Sequence, residues 1–565
     1  MKILPLLLIF LTLANGSFAE DKKYHWPVKN GLGVISSSFC EFRRNHFHAG
    51  IDISTQGSKG IPALAVSDGI LWEINVTHHG YGRKITLKLD DGTYVSYAHL
   101  DKFSEKINKI VKEGQEDLGR FNIKFHPQSD IRFKKGEEIG IIGDTGGFKP
   151  HLHIEFSNEE GTFINPLKNG LFYKGVFYPK IKEIAIVPID LDSLINGKKK
   201  KTILTAWKDK KSGLYKVQEP ITVNGRVGFE VKSEFLSEQG NKIAPYKIHL
   251  FIDGKLVFER VCHFFADSDY LKIFHAYDRE LYLNGKGNFV RLFDITDDMA
   301  KMLPGEHNIE IGIENYTGEQ KSLTFNVIVQ SDKKNVKIRE NSNNSVIVNK
   351  EEKIIKFDND KLLVKFPSGT FKNPVEINFR KIKYQGNKKN LKPLTDIYTI
   401  IPEDIVPDQE FEIFIKIPKN ALGRKEKIGV FQIEPQRIRF AGKDRESFPG
   451  YIGVKVQYPT RILLMEDSSS PSISHVKPSH GAKLKTLKPC LRASIVEKGS
   501  GLNYSSLKMI LDKREVPAEF IVKSGIIKYC VPIIINKGKH GFEIIAEDNV
   551  GNKKVTKSEF FVNAD

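Results

Sequence analysis

Short runs of alternating apolar and polar residues, cut by Gly, Asn and Asp, recur along almost the whole chain. Such alternation puts every second side chain on one face of an extended strand, so the pattern predicts β-structure. Asp253-Gly254 lies between the runs Ile248 to Ile252 and Leu256 to Val261, a pairing that predicts a tight hairpin. A second pair, Glu310 to Glu314 and Leu323 to Val329, closes through Thr317-Gly318. Helical periodicity is scarce. Its main candidate is Asp101 to Lys112, where Phe103, Ile107, Ile110 and Val111 recur at helical spacing. The predicted class is mostly β.

The first residues depart from this pattern. Lys2 precedes an almost unbroken apolar run, Ile3 to Ala14, and Ser17-Phe18-Ala19 places small residues where a signal peptidase reads. This predicts a signal peptide over 1–19, cut between Ala19 and Glu20, and a secreted protein working in the periplasm or outside the cell. No later run reaches the ~18 apolar residues of a membrane span, so no transmembrane segment is expected. A length of 565 residues implies several domains. The basic run Lys198 to Lys201, the Asn-rich polar stretch Ser331 to Lys353 and Asp467-Ser468-Ser469-Ser470-Pro471 suggest seams. They divide the mature chain into 20–180, 181–335, 350–465 and 466–565.

Composition adds a sign to this layout. The chain is 40% hydrophobic and 28% charged, a folding composition rather than a disordered one. It carries 87 Lys+Arg against 69 Asp+Glu, a formal charge of +18. Residues 20–180 hold 22 basic and 20 acidic side chains, so +15 falls on residues 181–565. Outside a cell, anionic wall polymers or lipopolysaccharide are the expected partners of that basic part; a merely solvated surface is the alternative. Nucleic acid is not expected, because the basic stretches lack interleaved aromatics.

The candidate chemistry lies in the histidines. Nine of the 16 precede residue 170, at 25, 46, 48, 78, 79, 99, 126, 151 and 153. Histidine is the commonest metal ligand and a ready general base near neutral pH. In His48-Ala49-Gly50-Ile51-Asp52 the even offset puts His48 and Asp52 on one face of an extended segment, with Gly50 leaving space between them. In His151-Leu152-His153-Ile154-Glu155-Phe156 the alternation assigns His151, His153 and Glu155 to one face and the apolar residues to the core. Tyr97-Ala98-His99-Leu100 ends a strand pattern that starts at Thr93. Each motif alone is weak; together they supply two imidazoles and a carboxylate as ligands, with two imidazoles left over.

These three motifs resemble those of the lysostaphin/LytM-type zinc endopeptidases. Ser37-Ser38-Phe39, Pro62-Ala63-Leu64-Ala65, Asp68-Gly69, Gly80-Tyr81-Gly82, Lys135-Gly136 through Gly140, Gly143-Asp144-Thr145-Gly146 and Asn165-Pro166 follow in the family's order. The resemblance covers roughly Trp26 to Leu167. It implies a β-sheet-rich peptidase domain, a Zn2+ cofactor held by His48, Asp52 and His153, and two non-ligand catalytic histidines, His99 and His151. The implied partner is peptidoglycan, with its peptide stems or cross-bridges as substrate. Three protein ligands leave zinc an open position, the mark of a catalytic site.

Two departures from the family stand out. Cys40 occupies a position where the family usually has glycine; it is an extra ligand, a redox handle or a small buried residue. About 33 residues, Asp101 to Phe133, separate Tyr-Ala-His-Leu from the next family segment, and they either wall the groove or decorate it. His78-His79 reads as part of a solvated loop before Gly80, His46 as a substrate contact or nothing, and His25 and His126 as surface residues. Glu155 can support a ligand from outside the metal's own coordination shell.

Downstream, residues 181–335 read as an immunoglobulin-like β-sandwich from strand spacing, and 350–465 as a β-rich domain of unknown type. Gly499-Ser500-Gly501-Leu502, Leu507 to Asp512, Lys539-His540-Gly541 and Ala546-Glu547-Asp548-Asn549-Val550-Gly551-Asn552 resemble bacterial immunoglobulin-like modules. Asp548 with Asn552 is either a calcium site or an Asx turn. An oxidising compartment permits a Cys490–Cys530 bridge; two unrelated thiols are the alternative. The expected function is a secreted zinc endopeptidase acting on peptidoglycan. The alternatives are a non-catalytic LytM-like regulator of other wall hydrolases or an envelope structural protein.

Overall fold

The computed structural model describes residues 23–563, apart from 191, 238, 295–301, 332–344, 373, 436 and 445–446. The expected signal peptide and most of the expected Asn-rich linker lie outside the described residues. The fold is mostly β, as the alternation predicts.

The first unit is built on one large sheet. Its strands in chain order are β1 (Val34–Ser37), β2 (Gly50–Ser54), β3 (Pro62–Leu64), β4 (Gly69–Val76), β5 (Arg83–Leu89), β6 (Tyr94–Ala98), β7 (Leu100–Phe103), β8 (Ile123–Phe125), β9 (Arg132–Phe133), β10 (Glu138–Ile142), β11 (His151–Ser157) and β12 (Phe163–Ile164). The large sheet runs β1-β2-β11-β6-β5-β4-β8, with β9 on β4 and β12 on β11; β3-β10-β7 forms a small second sheet. Leu152, Ile154 and Phe156 of β11 are fully buried, so one face of this central strand is core. That leaves His151, His153 and Glu155 on the other face.

The expected helix is present but shifted. Helix α1 (Glu105–Leu118) buries Ile107, Val111 and Gln115 and ends at Gly119, whose φ of 63° suits a left-handed cap. Residues 100–103 pair with β10 instead of starting the helix, so local periodicity there yields to sheet pairing.

Each remaining part of the chain contains two sheets. In the second unit, Phe177–Pro188 and Val227–Ser237 are the long partners of one sheet, and Gly305–Glu314 and Gln320–Val329 of the other. The Asp253-Gly254 hairpin joins Lys247–Ile252 to Lys255–Val261 with both turn residues at positive φ, 52° and 75°. Its neighbour strand, Phe264–Phe265, crosses over and pairs with β12 of the first unit. One continuous hydrophobic cluster runs from Tyr24 through Val329 and joins the two units. Residues 348–464 and 491–562 have clusters of their own, each drawn from both of their sheets. In the last of these, the Asp548 carboxylate accepts hydrogen bonds from the backbone N–H of Val550, Gly551 and Asn552, closing an Asx turn.

This last unit folds back onto the first. Glu519 pairs with Arg83 at 2.8 Å, Lys523 with Asp144 at 2.9 Å, and Tyr529 donates to Glu116 at 3.0 Å. His78, expected in a solvated loop, is buried. Its ring stacks on Phe121 at 4.7 Å and its Nδ1 accepts from the Phe520 N–H. The residues Asp101 to Phe133 therefore supply a docking face for the last unit: Glu116 among them accepts from both Tyr529 and Arg514.

Cys490 and Cys530 face each other on adjacent strands and form a disulfide, while Cys40 and Cys262 are free. Alkylation of the unfolded, unreduced protein with peptide mapping is expected to label Cys40 and Cys262 and spare the other two. Labelling of Cys490 and Cys530 would contradict the bridge.

Candidate metal centre

Strand register builds the site. β11 lies between β2 and β6, and His153 stands directly opposite Asp52 on one side and Ala98 on the other. His151 is two residues up the same face, opposite Ser54. His48 lies two residues ahead of β2, in a segment fixed by hydrogen bonds from Cys40 N–H to the His48 carbonyl and from His48 N–H to Glu41. His99 follows β6 with φ at 63°, a conformation unfavourable for a side chain with a Cβ. Its N–H donates to Tyr81 and its carbonyl accepts from Gly143, and these bonds hold it there. The resulting cleft has a volume of about 400 Å³.

Three donor atoms converge in it. His48 Nε2 lies 3.0 Å from Asp52 Oδ1 and 3.1 Å from His153 Nδ1, and the last two are 2.8 Å apart. The edge of a tetrahedron with 2.0 Å arms is about 3.3 Å, so the spacing suits a small cation with N and O ligands. His151 Nε2 is 3.6 Å from the same carboxylate oxygen.

The outward nitrogens decide what the inward ones offer. His48 Nδ1 donates to the Ser38 carbonyl at 2.7 Å, and His153 Nε2 donates to Glu155 Oε1 at 2.9 Å. His99 Nδ1 donates to the Thr145 carbonyl at 3.0 Å, and His151 Nδ1 to that of Lys149 at 2.7 Å. Every ring thus has one proton spoken for and one lone pair left toward the cleft. Two of those lone pairs meet a carboxylate, a donor set that suits zinc; two remain free for proton transfer.

Electrostatics follow the same division. Burial, then the neighbouring His151, pushes His99 down to about 3, so its ring is neutral. Burial likewise lowers His151. Burial opposes charge on His153 too, but its bonds to Asp52 and Glu155 raise it to about 9, which marks a spot that favours positive charge. Burial raises Asp52, yet the facing histidines hold it well below the carboxylate range. Burial raises Glu155 as well, but the hydrogen bond and charge of His153 bring it down to about 2; Tyr81 also donates to it, at 2.6 Å.

Residues 46–122 match Peptidase family M23. The N-terminal part of this chain carries an M23 peptidase domain. It is 32% identical over 145 residues to the murein hydrolase activator NlpD of Escherichia coli (strain K12), covering 26% of this chain and 30% of that protein. It is 29% identical over 125 residues to the DD-carboxypeptidase/endopeptidase Mpg of Neisseria meningitidis serogroup B (strain MC58), covering 22% and 23%. The chain thus spans under a third of the length of these relatives. Among solved structures, a zinc-containing peptidase from Vibrio cholerae is similar at 23% identity over 24% of this chain and 36% of that one, with a TM-score of 0.18. The catalytic domain of the prophage-encoded M23 protein EnpA from Enterococcus faecalis is similar at 20% identity over 25% and 94%, with a TM-score of 0.19.

The first unit brings His48, Asp52 and His99, which lie within the matched residues, together with His151 and His153 in one cleft. Cys40 stands apart from the metal cluster: it is buried, faces the Cys262 thiol, and burial pushes its own thiol up. Its φ of 60° accounts for glycine being at home there. The residues from Asp101 to Phe133 do not line the cleft. Gly50 has another purpose than space beside the ligands: a Cβ there would sit 2.1 Å from the Ile154 carbonyl oxygen on β11. Gly146 does the same against Gly80, at 1.9 Å, which seats the loop holding His99.

Four contributors escaped the sequence reading. Arg43 pairs with the outer oxygen of Asp52 at 3.2 Å and with Glu41 at 2.9 Å; its only signal was a basic pair just before His46. Phe148 packs on His99 at 4.7 Å. Tyr81 hides in a turn motif that reads as backbone geometry alone. Tyr270 belongs to another unit.

The close approach of β2 to β11 sets one prediction. Gly50→Ala forces backbone apart and is expected to cost at least about 2 kcal/mol in urea unfolding and to weaken zinc binding at least tenfold. Unchanged stability and metal affinity would show that the ligands do not depend on this contact.

Proposed function

We propose that this chain is a secreted zinc metalloendopeptidase that hydrolyses peptide bonds in the stems or cross-bridges of peptidoglycan. Residues 181–335, 350–465 and 466–565 are, in this reading, accessory domains. The observation that carries the proposal is the hydrogen bonding of the four histidines, which turns one lone pair of each ring toward a single carboxylate-bearing cleft.

His48 Nε2, Asp52 Oδ1 and His153 Nδ1 would hold the metal, with Glu155 and the Ser38 carbonyl fixing the ligand tautomers from outside. A zinc ion held there supplies Lewis acidity, which acidifies a water and polarises a carbonyl at neutral pH. His99 and His151 do the proton work. Both are neutral, each presents an Nε2 lone pair to the cleft, and their rings lie 4.6 Å apart. One can therefore take a proton from the attacking water and then, as the imidazolium, give that proton to the leaving amine, while the other can take the proton that the product carboxylic acid releases. Arg43, on the outer oxygen of Asp52, keeps that carboxylate oriented.

The similarity to NlpD, named a murein hydrolase activator, supports a second reading, in which the domain activates other wall hydrolases. The filled constellation of five residues favours catalysis.

Purified peptidoglycan of defined cross-link type, digested and resolved by mass, separates the two. The zinc-loaded protein is expected to release cleaved peptides. His99→Ala and His151→Ala are each expected to keep zinc and slow cleavage by ~10² or more. The double variant should lose much less than the product of the singles, because both groups serve one transition state. A zinc-loaded protein that releases nothing alone but stimulates an added wall hydrolase would overturn the enzyme reading.

A further inference from the structure

The metal cleft is not closed by the M23 domain alone. Strand Phe264–Phe265 of the second unit extends the M23 sheet through β12, and the turn after it carries Tyr270 into the cleft wall. Three contacts fix Tyr270 there. Its carbonyl accepts from the Phe47 N–H at 3.0 Å, next to the ligand His48. Its ring lies against that of His46 at 4.8 Å, tilted by 30°. Its phenol adjoins that of Tyr81, which is bonded to Glu155.

We infer that Tyr270, supplied by the second unit, is a substrate-positioning residue of the metal cleft, so that two domains together make the peptide-binding site. The inference rests on the peptidase reading above. A wall fits the observations better than a plug, since both the backbone and the ring of Tyr270 are tied to the M23 domain while about 400 Å³ of cleft stays open. That volume lies in the range of ordinary ligand sites. The surroundings also say what the wall can hold. Arg43, the cationic side chain on this side, is paired with Asp52 at 3.2 Å and with Glu41 at 2.9 Å, so its charge is already matched. A half-buried aromatic face with one hydroxyl suits an uncharged stretch of peptide main chain with small side chains.

The test compares Tyr270→Ala and Tyr270→Phe in the full chain, with zinc content measured in each. Two readouts are used: kcat and KM on a cross-linked peptidoglycan fragment, and the equilibrium Kd for the same fragment in a His151→Ala background. Tyr270→Ala is expected to keep zinc and leave kcat within about twofold, while KM and Kd rise about tenfold, the scale of one lost aromatic anchor. Tyr270→Phe, which keeps the ring, should restore most of the affinity. Unchanged Kd and KM in Tyr270→Ala would overturn the inference. So would a gain in kcat/KM, which would make Tyr270 an obstruction, or loss of zinc in both variants, which would make it structural. A protein that binds the fragment but never cleaves it would defeat the peptidase reading, and the Kd of Tyr270→Ala would still judge this one.

Discussion

The contact on which the site depends is between two backbones. β2 and β11 approach so closely at Gly50 that only a hydrogen fits against the Ile154 carbonyl. This approach fixes the register that sets Asp52 opposite His153, and the two-residue period of β11 then fixes His151 and Glu155 on the same face. A slip of one residue would turn all three histidine-face side chains into the core. The candidate metal centre is therefore a consequence of sheet pairing, and its candidate ligands need no flexible loop to find each other, His48 excepted. That residue is placed by its own ladder of bonds to Cys40 and Glu41.

Other parts of the chain bear on the same few atoms. The second unit shares a hydrophobic cluster with the M23 domain, adds a strand to its sheet and sends Tyr270 into its cleft. The last unit rests on the opposite flank, where Lys523 reaches Asp144 and Val522 lies 3.3 Å from where a Cβ of Gly147 would be. The loop between them includes Thr145, whose carbonyl orients His99. Both candidate ligands and candidate acid–base groups are thus braced by segments far away in sequence.

That separation explains what the sequence made legible. The motifs His-x-x-x-Asp and His-x-His are read by counting along a strand, because period two decides which side chains share a face. The hairpin at Asp253-Gly254 is read from its turn residues. Helix α1 lies close to its expected place, shifted because β7 claims the first three residues, Asp101 to Phe103. His78 was misread for the opposite reason. Its loop looks polar and exposed locally, and the chain that covers it, around Phe520, lies 442 residues away. Tyr270 and the docking role of Asp101 to Phe133 belong to the same class. No local pattern reports which distant surface will arrive.

X-ray absorption at the zinc edge of the purified, zinc-loaded protein reads the donor set of the cleft most directly. One zinc per chain is expected, with only nitrogen and oxygen near 2.0 Å and two imidazoles, falling to one imidazole in His153→Ala. A sulfur neighbour near 2.3 Å, or a spectrum indifferent to the loss of His153, would contradict the assignment of His48, Asp52 and His153 as the ligands.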